Sequence, residues 1–144
     1  MIYIVPDSSD PVAGYIKDDP VRPHIPVEKR FGDNEKVLAL RDDSLVRAMV
    51  CVKLCSGVPS NEQELFDSSA IDPDTIVFYT IWSYKPGAGQ QLIRASLDYI
   101  KTQWPNVKRV VTLSPPTELA KRFHLKNGAR IFRINVDTVN YEYA

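Results

Sequence analysis

Cysteine and histidine are scarce in this chain, which has 144 residues but only Cys51, Cys55, His24 and His124 of these two types. A zinc site needs about four such ligands close together, and the two histidines lie far in sequence from the cysteines, so no metal is expected. The cysteines stand four apart in an apolar run that reads as strand, which puts both side chains on one face as reduced, partly buried thiols. Long hydrophobic runs are also missing. The longest, such as 107–113, are far too short to span a membrane and are broken by Lys108 and Arg109, so no transmembrane helix is expected. Nor is there an excess of one charge. With 18 basic and 18 acidic residues no global field draws the chain to nucleic acid or an anionic membrane, and any phosphate it binds must be held locally. The first residues, Met1 to Val5, carry no basic region and no small-residue cleavage site. They read as a strand rather than a secretion signal, and the expected location is cytoplasmic.

What is present fits one domain over 1–144, long enough to enclose a hydrophobic core without staples. Prolines 6, 11, 20, 23 and 26 make the portion 1–36 proline-rich and exclude a long helix there. Val37 to Leu40, a turn at Asp42-Asp43-Ser44 and Leu45 to Leu54 form a candidate hairpin. The polar segment 57–74 reads as a loop with at most a turn or two of helix near Glu62 to Phe66. Thr75 to Tyr84, almost all β-branched or aromatic, predicts a central strand buried on both faces. Leu92, Ile93, Leu97, Ile100 and Trp104 recur at helical spacing within 90–104, and Pro105 ends the run. A strand at 107–113 follows, then a helix at 117–127 with Leu119, Ala120 and Phe123 on its buried side and Gly128 as its stop. Strands at 130–136 and 139–143 close the chain. The fold class is α/β (α+β), with a parallel β-α-β crossover inside a mixed, mainly antiparallel sheet.

Three segments carry candidate chemistry. At Tyr84-Lys85-Pro86-Gly87-Ala88-Gly89-Gln90-Gln91 a buried strand turns through glycines into a helix, so free backbone amides can approach and grip a phosphate; the alternative is a plain strand-to-helix turn. In Thr112-Leu113-Ser114-Pro115-Pro116-Thr117, Ser114 ends a strand at the carboxyl edge of the sheet, where open α/β sheets bind ligands. Ser followed by Pro is equally the pattern of a helix cap and first helical position. In Phe123-His124-Leu125-Lys126-Asn127-Gly128-Ala129, His124 falls at the margin of the buried face, where it can transfer a proton or stand as an ordinary half-buried residue.

Together these features resemble the acyl-coenzyme A-binding core of the GNAT acyltransferases, over about 75–144. The resemblance implies that Lys85, Gly87, Ala88, Gly89, Gln90 and Gln91 bind the coenzyme A pyrophosphate, and that His124 stands where the family often places a tyrosine that protonates the leaving thiolate. It further implies that amides near Ile81 and Trp82 polarise the thioester carbonyl. The chain departs from the family in carrying Tyr84 three residues before the first loop glycine, where Gln or Arg is common, and in having a proline-rich stretch in place of the two N-terminal helices. A narrower likeness links Leu113-Ser114-Pro115 and Phe123 to Ala129 to the segments around the catalytic Ser and His of malonyl-coenzyme A decarboxylases, which share the GNAT fold.

The reading put first is transfer of an acyl group from acetyl-CoA or another acyl-CoA to an amine, with His124 and Ser114 as catalytic candidates. The alternatives are decarboxylation of a malonyl-type thioester and a non-catalytic acyl-CoA-binding module. Expected partners are acyl-CoA and an unidentified acceptor, with no nucleic acid, no membrane and no metal; a homodimer stays open.

Overall fold

The computed structural model describes residues 2–67 and 71–144. Met1 of the expected first strand and residues 68–70 of the 57–74 segment lie outside the described residues. The described residues form seven strands: β1 (Ile2–Val5), β2 (Glu35–Asp42), β3 (Leu45–Cys55), β4 (Thr75–Ser83), β5 (Arg109–Thr112), β6 (Arg130–Ile134) and β7 (Val139–Tyr143). They hydrogen-bond in the order β1-β2-β3-β4-β5-β7-β6, a mostly antiparallel sheet in which β4 and β5 run parallel. Three helices are α1 (Glu62–Asp67), α2 (Ala88–Gln103) and α3 (Glu118–Lys126). The α/β class and the strand-helix-strand centre are as the sequence predicts. The last two strands pair antiparallel as expected, and β7 lies between β5 and β6. That placement sets the surroundings of α3.

The chain forms two compact units, one of residues 1–52 and 80–105, the other of 53–79 and 106–144. In the first, β1 lies antiparallel to β2, pairing Ile2 with Leu40 and Val5 with Val37. The β2–β3 hairpin closes through Asp43, which adopts φ 52°. Leu92, Ile93 and Ile100 of α2 are buried, as are Val37 to Leu40 and Ala48 to Val52. The proline-rich segment contains no α-helix and folds into two 3-10 helices, Pro11–Asp18 and Val27–Arg30. It is anchored by a buried ion pair. Arg30 Nη1 lies 2.7 Å from Asp19 Oδ2, and Arg30 also donates to the carbonyls of Arg22 and Ile25. Asp19 Oδ1 accepts from the amides of Val21 and Arg22 and from the Thr80 hydroxyl. Burial by itself would push the Asp19 carboxyl up, but hydrogen bonds from Arg22, Arg30, Thr80 and Val21 prevail and hold it below the usual range. Both cysteines are buried thiols, and Cys51 Sγ lies 3.6 Å from Arg30 Nη1.

In the second unit β4 and β5 pair from Thr75 with Arg109 to Phe78 with Thr112, and Leu113 N–H still donates to Phe78 O. There β5 leaves. Ser114 exchanges both backbone hydrogen bonds with Val139 of β7 instead. The loop before α1 is fastened to the β6–β7 hairpin: Asn140 donates to Pro59 O, Thr138 to Ser60 O and Arg133 to Val58 O. Long-range polar ties of this kind order a segment that has little apolar surface of its own.

Candidate functional site

The glycine loop adopts the geometry its sequence requires. Gly87 stands at φ 80°, a left-handed conformation that costs little only for glycine, and caps α2 with no side-chain hydrogen bond. The first helical amide, Ala88 N–H, is spent on Lys85 O, and Gln91 N–H begins the helical ladder on Gly87 O. The N–H groups of Gly89 and Gln90 have no partner among the described residues. Two adjacent unpaired donors at the positive end of a helix dipole are chemically fit to hold an anion. Lys85 is exposed next to them, and Gln91 is exposed on the first turn. Tyr84 is committed elsewhere: its O–H donates to Asp18 Oδ2 at 2.8 Å, it accepts from Trp82 Nε1 at 3.0 Å, and its ring meets Tyr15 edge to face. Burial pushes its hydroxyl up to about 12. Ile81 and Trp82 lie on the part of β4 beyond Phe78, where the pairing with β5 has ended.

Ser114 is buried, and its hydroxyl donates to Thr112 Oγ1 at 2.8 Å. Of the two readings of Ser114, the helix cap is not the one found: the cap is Thr117, whose Oγ1 accepts from Ala120 N–H. The bridge to Val139 holds Ser114 in extended backbone against β7, so the helix starts later.

His124 also differs from expectation. It does not sit at a margin but is the buried residue of α3, whereas Leu119 is 77% exposed. The inward stripe is Ala120, Phe123, His124 and Asn127, the spacing of one helical face. Four apolar residues spread around so short a helix define its inner face poorly, and packing against β7 chose the aromatic side. The ring stacks on Tyr141 with centroids 5.1 Å apart and is flanked edge-on by Phe123 and Tyr143. Nδ1 lies 2.6 Å from the Tyr143 hydroxyl. Burial lowers the imidazole to about 4, so the ring is neutral at pH 7. Nε2 has no hydrogen bond among the described residues.

The segment after His124 fixes the helix end that carries it. Asn127 and Ala129 N–H groups donate to His124 O, Asn127 Nδ2 donates to Phe123 O, and Gly128 takes φ 96°. Ser114 and His124 share no hydrogen bond, but both are attached to β7. Thr112 Oγ1 accepts from Ser114 and from Tyr141 N–H, and the Tyr141 ring lies on the imidazole. Among the described residues no three His, Cys, Asp or Glu side chains gather to hold a metal, and no helix is long and apolar enough to cross a membrane.

By sequence the chain matches no described protein family and no curated protein. Solved structures do match. Malonyl-CoA decarboxylase from Agrobacterium vitis aligns over 99% of this chain and 60% of its own, with 20% identity and a TM-score of 0.82. The GNAT-like decarboxylase GphF, in complex with isobutyryl-CoA, aligns over 100% of this chain and 98% of its own, with 16% identity and a TM-score of 0.73. A Bacillus subtilis acetyltransferase in complex with CoA aligns over 99% and 96%, with 11% identity and a TM-score of 0.66.

The chain has the GNAT fold. It spans about 60% of the length of the malonyl-CoA decarboxylases it matches. Within this GNAT fold the reading by sequence missed Tyr141, Tyr143 and Thr112, which surround the two candidate residues. A signal for the tyrosines was present: in Val139-Asn140-Tyr141-Glu142-Tyr143 the two rings alternate onto one face of a strand. Nothing local said that His124 would lie on that face.

Proposed function

We propose that the chain is an acyl-CoA-binding domain that decarboxylates a malonyl-type thioester, with His124 as a neutral hydrogen-bond donor to the developing enolate. The free amides of Gly89 and Gln90, with Lys85, are suited to CoA phosphate; the cytoplasm is the proposed setting. The solved GNAT-fold decarboxylases, one of them bound to isobutyryl-CoA, support the substrate class.

The observation that carries this reading is the state of the imidazole. At a pKa of about 4, only about one ring in a thousand is protonated at pH 7. Acyl transfer to an amine, the reading put first from sequence, asks His124 to return a proton to a thiolate, and a neutral imidazole N–H is a far weaker acid than a thiol. Decarboxylation asks for less acid and more positioning. The bond between the carboxyl carbon and the α-carbon breaks, carbon dioxide leaves, and the electron pair moves onto the thioester oxygen. A neutral N–H aimed at that oxygen stabilises the charge without giving up its proton. The Ser114 hydroxyl can turn from Thr112 to the same oxygen, and water protonates the α-carbon to give the shortened thioester and hydroxide, which leaves to solvent.

The test follows carbon dioxide and free thiol separately, with malonyl-CoA alone and with acetyl-CoA plus amines. Wild type is expected to release carbon dioxide and no thiol, and His124→Gln to lose about 10² to 10³ in kcat, the usual cost of one oxyanion donor. Thiol release from acetyl-CoA without carbon dioxide from malonyl-CoA restores acyl transfer. Bound CoA with neither product leaves a binding module.

A further inference from the structure

We infer that Tyr143 is a positioning residue whose phenol donates to His124 Nδ1 and so fixes the single tautomer in which Nε2 carries the proton. The inference rests on the role proposed for His124, and its first readout does not depend on that role. The two atoms lie 2.6 Å apart in a buried contact, so one of them must donate. Tyr143 has one proton to place, and its hydroxyl finds no other partner among the described residues. If Nδ1–H were the donor, the phenolic proton would be left without an acceptor among the described residues. The phenol is the stronger acid of the pair and the imidazole nitrogen the stronger base, so the phenol donates and the remaining ring proton sits on Nε2, where it has no partner among the described residues. A neutral imidazole carries one N–H, so the choice at one nitrogen settles the other.

The surroundings keep this arrangement free of charge. The titratable groups in contact with the ring are Tyr141 and Tyr143, both on β7, and burial raises both above the usual phenol range. Glu118, on α3 itself, adds to the rise at Tyr141, and neither phenol ionises near neutral pH. A bond that Nδ1 can accept only while unprotonated also opposes protonation of the ring. Tyr143 therefore has two effects on the imidazole: it aims the donor, and it holds the ring neutral. The phenyl part of Tyr143 has a separate packing role beside Phe78, which Phe would retain.

The experiment is nitrogen-15 NMR of the histidine side chains in wild type and Tyr143→Phe, titrated from pH 7.5 to 4, alongside kcat and KM for carbon dioxide release. Wild type should show His124 as a single Nε2–H tautomer at neutral pH. Tyr143→Phe, with its Tm checked, should show mixed tautomers and an imidazole that protonates at higher pH, with kcat about tenfold lower and KM little changed, as loss of one hydrogen bond implies. A wild-type Nδ1–H tautomer, or an unchanged spectrum and titration in Tyr143→Phe, overturns the inference. A wild type that gives the expected spectrum but no carbon dioxide leaves the tautomer assignment standing and removes the decarboxylase reading.

Discussion

At the scale of single residues, the site turns on which protons are already in use. Ser114 has a hydroxyl but no base: its hydroxyl bonds the Thr112 oxygen, so it is not arranged as a nucleophile. In its proposed role as a second oxyanion donor, its loss should cost rate more than stability. Ser114→Ala should lower kcat for carbon dioxide release by about 10² with KM nearly unchanged, the pattern of an interaction made in the transition state. A fall confined to KM would make Ser114 a substrate-binding residue instead. The Ser and His candidates were legible in the sequence because their segments are local patterns. Their environment was not, because the partner of His124 lies nineteen residues away.

At the scale of elements, glycines shape two of the three candidate segments, Gly87 before α2 and Gly128 after α3. Gly128 ends α3 at φ 96°, and an added Cβ there meets nothing within 4 Å. The penalty for Gly128→Ala is therefore conformational and not steric, and it should lower stability by about 1 to 2 kcal/mol, with Gly128→Asn recovering part of it. Thermal melts of the three proteins check this; an Ala variant as stable as wild type would mean that the helix end relaxes without strain. Such a stop was readable in Asn127-Gly128. The rotation of α3 about its own axis was not, since Leu119 is apolar and yet exposed. A short helix takes its orientation from the surface it meets, here the tyrosine face of β7.

At the scale of the whole molecule, acid should act on both compact units. The buried His124 ring has a folded pKa of about 4 against an ordinary 6.5, so below pH 6.5 the unfolded chain takes up a proton that the folded chain refuses. Its contribution is present above pH 6.5 and is lost as pH falls towards 4, by roughly 3 kcal/mol in all. Urea melts between pH 7 and 4 should show this slope, and His124→Phe should flatten it; an equal slope in the variant would place the acid sensitivity elsewhere. Asp19 acts later: its carboxyl is held low, so its contribution is lost only as pH drops below the ordinary carboxylate range. The sequence by itself determined the α/β class, the parallel crossover, the glycine turn into α2 and the two segments that hold Ser114 and His124. Periodicity and turn chemistry are properties of neighbouring residues and can be read from them. Tertiary structure alone decided the insertion of β7 between β5 and β6, the pairing of Asp19 with Arg30, and the neutral imidazole beside Tyr143. Burial and proton placement depend on which distant segments meet, and no local pattern records that.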